Sequence, residues 1–171
     1  TAQQHFEQGM ADYDPNLHAR YLQLSGQDPG MICTAYTAWG MWILGYPTQA
    51  AERLDRCLAL AQTLDHPFTL IYAVQYAAVF HQFRRDAAAT LTQADAIIAL
   101  AQQHGFTYYL GWGAMLRGWA QVCQGEEAAG IAELQQGLAS WQATGATLAR
   151  HYYYGLLADA YLILTPGRTL S

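Results

Sequence analysis

Apolar and polar positions along this chain fall into two textures. Stretches such as Met31–Leu44 are apolar nearly all round, whereas stretches such as Thr48–Leu64 carry their apolar residues on one face. In the second kind, Ala50, Leu54, Cys57, Leu58 and Ala61 recur at helical spacing opposite Glu52, Arg53, Asp55 and Arg56. The pattern predicts helix pairs: Met31–Leu44 with Thr48–Leu64, Phe68–Phe83 with Asp86–Gln103, and Thr107–Cys123 with Glu126–Ala143. A further apolar helix follows at Thr147–Leu164 without a partner, and Thr165-Pro166-Gly167 stops it. Ahead of the pairs, Ala2–Ala11 reads as the second helix of an earlier unit. A short helix over Pro15–Leu24 and a loop over Ser25–Gly30 come next. Proline just inside a helix start and glycine just past a helix end mark the boundaries, as at Pro47 and Gly105.

The textures repeat. Gly45, Arg85 and Gly125 share one phase, and Ala38, Ala78, Gly118 and Ala158 another. Leu58, Ile98 and Leu138 share a third, Gln62, Gln102 and Gln142 a fourth, and Ile32, Tyr72, Trp112 and Tyr152 a fifth. A period of about forty residues is the mark of stacked helical units, none of which can bury its own apolar face. The expected fold is therefore all-α, a right-handed α-solenoid of antiparallel helix pairs forming a single domain over residues 1–171. Its units fall at about 1–29 (partial), 30–66, 67–105, 106–145 and 146–171 (partial). Both ends read as cuts through a longer solenoid.

The series Ala38, Gly45, Ala50, Leu54, Cys57-Leu58 and the series Gly118, Gly125, Leu134, Gly137-Leu138 resemble the tetratricopeptide repeat. There, a small residue midway along the first helix lets the second pack close. The pattern departs at Thr90 and Gly130, which stand where a small alanine is expected. A second resemblance rests on Tyr13-Asp14-Pro15 with His18, Asp28-Pro29-Gly30-Met31-Ile32-Cys33 and Trp39-Gly40-Met41-Trp42-Ile43-Leu44-Gly45-Tyr46-Pro47. His66-Pro67-Phe68, His81-Gln82-Phe83-Arg84-Arg85, Leu116-Arg117-Gly118-Trp119-Ala120 and Gly137-Leu138 complete it. Together these stretches resemble the carboxy-terminal helical-repeat region of bacterial signalling proteins that join a class III adenylate/guanylate cyclase domain to an AAA/STAND-type NTPase. The resemblance implies a regulatory or protein-binding tail, with catalytic domains outside this segment.

Composition narrows the chemistry. Hydrophobic residues make up 53% and charged residues 12%, a balance that argues against disorder. The net charge of -5 and the scattered arginines provide no basic face for nucleic acid. There is no lysine, so no phosphate-loop lysine, Schiff base or Ser–Lys dyad is available. The uncharged run Gly30–Tyr46 is shorter than the roughly 20 residues a bilayer span needs, and no basic-then-apolar leader precedes it. Cys33, Cys57 and Cys123 sit far apart in apolar helices and read as buried small hydrophobes in a reducing, cytoplasmic setting. His66, His81, His104 and His151 have no i, i+4 relation, so no metal site is expected. His18, beside Tyr13-Asp14-Pro15, is expected to tie the short helix to its loop.

No nucleophile, base or cofactor motif stands out, and a non-enzymatic binding module is the leading expectation. The first helices of such repeats line a concave surface. Helical phase puts Trp39, Trp42, Tyr72, Gln75, Gln82, Trp112, Met115, Trp119, Tyr152 and Asp159 on or near it. Aromatics interspersed with amides suit a protein or peptide partner, other domains of the same parent chain included. Equally, they suit packing between first helices. The alternative function is a small-molecule sensor that closes this groove on a metabolite. Arg117, on an otherwise apolar helix, is expected to pair internally with Asp159 or Glu133, or else to face an acidic ligand. A homodimer through the terminal helix is a third expectation, its strip formed by Tyr152, Leu156, Leu157, Tyr161 and Leu164.

Overall fold

The computed structural model describes residues 1–164, so Thr165-Pro166-Gly167 lies outside the described residues. The described chain is helical and contains no strand. Its elements are α1 (Ala2–Ala11), a 3-10 turn (Pro15–Leu17), α2 (His18–Ser25), α3 (Pro29–Ile43), α4 (Pro47–Thr63), α5 (Pro67–Phe83), α6 (Ala87–His104), α7 (Thr107–Cys123), α8 (Glu127–Ala143) and α9 (Arg150–Ile163). No helix among the described residues is long and apolar enough to cross a membrane.

The boundaries have local causes. Asp28 caps α3 by accepting the Met31 N–H at 2.8 Å, which moves the start of the helix back to Pro29. Asp86 caps α6 through the Ala89 N–H at 3.0 Å. The expected short helix is split, because Asp14 caps a 3-10 turn before α2 begins at His18. Helix α9 begins at Arg150 rather than Thr147, since Ala149 takes a left-handed conformation (φ 61°).

One left-handed residue also ends each helix from α3 to α8: Gly45, Asp65, Arg85, Gly105, Gly125 and Gly145. At Arg85 the two reversing bonds are explicit. Asp86 N–H donates to His81 O at 3.0 Å and Arg85 N–H to Gln82 O at 2.9 Å. The same pair recurs around Gly45, from Tyr46 to Met41 and from Gly45 to Trp42. These bonds satisfy carbonyls that the helix itself leaves unpaired.

The chain divides into two compact units, Thr1–Ala77 and the remainder from Ala78, with the division inside α5. In the first unit α3 packs on α1 and α4. Its core is Met31, Ala35, Cys57, Ala61, Ala73 and Tyr76, with Ile32, Trp39 and Leu58 against it. In the second unit α7 is central, packed by α6, α8 and α9. Tyr109, Trp112, Met115, Leu116, Trp119, Ala120 and Val122 of this helix are all buried.

Helices α7 and α8 meet backbone to backbone. A methyl group added at Gly118 would stand 2.5 Å from the Gly130 carbonyl oxygen and 2.7 Å from the Leu134 nitrogen. Gly130 therefore tightens the contact at the place where the repeat pattern departs. Thr90, the other departure, is fully buried and donates its hydroxyl to the Asp86 carbonyl at 2.8 Å.

Two expectations are corrected. Cys123 is exposed, whereas Cys57 is buried, because Cys123 is the last residue of α7. On α9, Leu156 is buried and Tyr152 half-buried because α7 and α8 cover that side, so the exposed apolar residues are Tyr154, Tyr161 and Leu162. Replacing Gly118 with alanine should destabilise the chain by about 1–3 kcal/mol, because backbone cannot move aside as a side chain could. Urea unfolding measures this, and an unchanged midpoint would show that α7 and α8 separate freely.

Candidate functional site

The first-helix aromatics form a packed group in each unit. In the first unit, Tyr36 and Trp39 of α3 meet Tyr72 and Tyr76 of α5. The Trp39 and Tyr76 ring centroids lie 4.3 Å apart, and those of Tyr36 and Tyr76 5.1 Å apart. Trp39 donates its indole N–H to the Tyr76 carbonyl at 3.1 Å, and Tyr76 donates its hydroxyl to that of Tyr72 at 3.3 Å. Burial, before any neighbour, pushes both phenols upward, so they stay neutral donors. Trp39, Trp42 and Tyr72 are half-buried, and Gln75 is buried with its side-chain oxygen unpaired among the described residues.

In the second unit the end of α5 and helix α9 meet over α7. Tyr152 donates its hydroxyl to Gln82 Oε1 at 3.0 Å, stacks on Trp112 at 5.9 Å and takes the edge of Phe83 at 6.2 Å. Two turns further along α7, Asp159 Oδ2 accepts from Arg85 Nη1 at 2.5 Å and from Trp119 Nε1 at 2.8 Å. The Arg85 guanidinium lies 5.9 Å from the Trp119 ring centroid, a cation–π distance. Partial burial alone would raise the Asp159 carboxyl, but the Arg85 and Trp119 bonds outweigh it and hold the group below its ordinary value.

These bridges decide where the sequence-derived residues lie. Gln82, Trp112, Met115 and Trp119 are buried beneath them, and the last two have no exposed surface. Tyr152 and Asp159 stay partly open, and the Arg85 side chain is 59% exposed. Arg85 is the functional candidate that sequence reasoning passed over. Its signal was present, since an arginine stands at the phase that Gly45 and Gly125 fill. The left-handed backbone there (φ 60°) costs a non-glycine residue about 1–2 kcal/mol, and the ion pair accompanies that strain.

Arg117 pairs internally, as its setting required, but with Glu133 and Asp95 rather than Asp159. Its Nε donates to Glu133 Oε1 at 2.6 Å, Nη2 contacts the same carboxylate, and Nη1 reaches Asp95 Oδ1 at 3.4 Å. The Arg117–Glu133 pair lines a cleft of about 220 Å³ between α6 and α8, walled by Ile98, Leu110 and Ala114. In the first unit, Phe6, Tyr36, Ile43 and Leu44 line an apolar trough of about 340 Å³. Among the described residues, no three His, Cys, Asp or Glu side chains are grouped to hold a metal ion.

Comparison with protein-family models, with curated proteins and with solved structures finds no match to this chain.

Asp159→Asn should lower stability by about 0.5–1 kcal/mol at neutral pH, discounted for the exposure of Arg85. Because the folded pKa is depressed, this stabilisation is complete above the ordinary carboxylate pKa of about 4 and fades as pH falls through the folded value. Paired thermal melts at neutral and acidic pH should therefore show the gap closing; a constant gap would mean the charge is irrelevant. Arg117→Met should cost about 1 kcal/mol by stranding Glu133. Unchanged melting would instead mark Arg117 as a residue not committed to the fold.

Proposed function

We propose that this chain is a non-catalytic scaffold: a right-handed, tetratricopeptide-like stack of helix pairs that binds a protein or peptide segment and serves a larger bacterial signalling protein. The stacked-repeat reading is supported by the second helices, α4, α6 and α8, which begin at Pro47, Ala87 and Glu127. They keep the phase that the sequence pattern sets. A cytoplasmic location, away from membrane and nucleic acid, belongs to the same proposal.

One observation carries the binding function. Each unit leaves aromatic and polar groups on or just beyond its first helices partly open: Trp39, Trp42 and Tyr72 in the first, Phe83, Arg85, Tyr152 and Asp159 in the second. Large rings with orienting donors and acceptors are the groups that supply most of the energy at protein interfaces. In the second unit the Arg85–Asp159 and Gln82–Tyr152 bridges occupy the groove, so a partner there engages their open sides or displaces them.

The size of one cavity and the lining of the other weigh against the metabolite-sensor alternative. The Arg117 cleft, at about 220 Å³, is smaller than the roughly 300–1,000 Å³ of ordinary small-molecule sites. The larger trough beside Tyr36 has a predominantly apolar lining, with few polar groups to orient a metabolite.

Native mass spectrometry of the purified chain separates the two readings, since a retained small molecule would favour the sensor and overturn the scaffold. For the scaffold, selection from a peptide display library should yield binders. Trp42→Ala and Tyr152→Ala should weaken them by about tenfold or more without loss of folded structure. Binding indifferent to both substitutions would place the interface elsewhere.

A further inference from the structure

We propose that His18 and His66 form an acid-sensitive latch, which holds α2 and the 3-10 turn before it against the starts of α3 and α5. The latch is built on Asp28, whose side chain is wholly buried. Asp28 Oδ1 caps α3, while Oδ2 accepts the Tyr13 hydroxyl at 3.0 Å and meets His18 Nδ1 at 2.8 Å. A carboxylate there requires the proton on Nδ1, so neutral His18 has an acceptor at Nε2. That Nε2 is buried and has no hydrogen-bond partner among the described residues.

His66 has the opposite tautomer. Its carbonyl accepts the Leu70 N–H at the start of α5, and its Nδ1 accepts the Thr69 N–H at 3.3 Å with the Thr69 hydroxyl at 3.0 Å. An accepting Nδ1 leaves the proton on Nε2, which makes neutral His66 a donor there. The two rings lie edge to face with centroids 6.0 Å apart. Neutral, they pack without like charges meeting, and no hydrogen bond is made at His18 Nε2 among the described residues.

A proton on His66 breaks this arrangement. It must occupy Nδ1, which removes the acceptor from Thr69 and puts positive charge at the N-terminus of a 17-residue helix. Burial first, and His18 second, hold the His66 imidazole below its ordinary value of 6.5.

Three further groups near Asp28 are held in their protonated forms. The Tyr13 hydroxyl is pushed up by burial and then by Asp28, with Tyr21 and Asp14 adding to the effect. The Cys33 thiol is raised and the Cys57 thiol pushed up to about 12, in each case by burial and then by Asp28. Because the folded-state pKa of His66 is depressed, its contribution to stability is full above the ordinary imidazole value and is lost as pH falls through the folded value.

Hydrogen exchange read by NMR tests the latch. Between about pH 7.5 and pH 5, amide protection in α2, corrected for intrinsic rates, should fall at least about tenfold relative to α7. His66→Asn caps a helix without titrating, and should abolish the fall. Protection that holds at both pH values, or that falls equally in the variant, overturns the proposal. If H66N fails to fold, His66→Ser poses the same test. The imidazole C–H shifts of the unaltered chain give a third reading, in which a His66 midpoint at or above the ordinary value also overturns it.

Discussion

Every reversal of this chain from α3 to α8 is completed by one residue in the left-handed region, and the packing of each helix on the next starts from that constraint. The backbone must turn back within about three residues while its last carbonyls remain bonded. Glycine does this at Gly45, Gly105, Gly125 and Gly145, whereas Asp65 and Arg85 do it against steric resistance. Once the turn is fixed, the angle at which the next helix sets out is fixed too. An apolar helix such as α7 is then covered by α6 and α8 on either side.

Close packing amplifies the effect. Gly118 and Gly130 allow α7 and α8 to meet through their backbones, and the large side chains of α7 are driven to other faces of the helix. There Trp112 and Trp119 meet α9 and are sealed by Tyr152 and Asp159. The candidate binding surface of the second unit is thus the remainder left once that packing is satisfied. Its polarity comes from groups that also hold α9 in place.

Helix positions were largely legible in the sequence because periodicity and turn residues report on local backbone, which is fixed by neighbours in sequence. The texture of Thr48–Leu64 and the glycine at Gly105 sufficed to place α4 and the end of α6. The candidate surface was legible only in part, since helical phase says which side of a helix a residue occupies but not what lies over it. Met115 and Tyr152 were equivalent on that criterion, yet one is fully covered and the other is half-open because α9 reaches the end of α5 across α7. Ion partners were similarly half-legible. Arg117 advertised its need for a carboxylate, and Glu133 lay within the choices named. An exposed turn arginine such as Arg85 points to no partner until Asp159, 74 residues away, is brought to it.

That same separation gives the Arg85–Asp159 pair a mechanical meaning. In a linear array whose units touch only their neighbours, tension peels one unit at a time from the end. Here an ion pair spanning 74 residues, with the Tyr152–Gln82 bond spanning 70 beside it, closes the second unit into a loop. A load applied at its two sides reaches these bonds before it reaches the helices they enclose. The second unit is thus tied between its first and last helices as well as between neighbours, a closure that a linear array of units lacks.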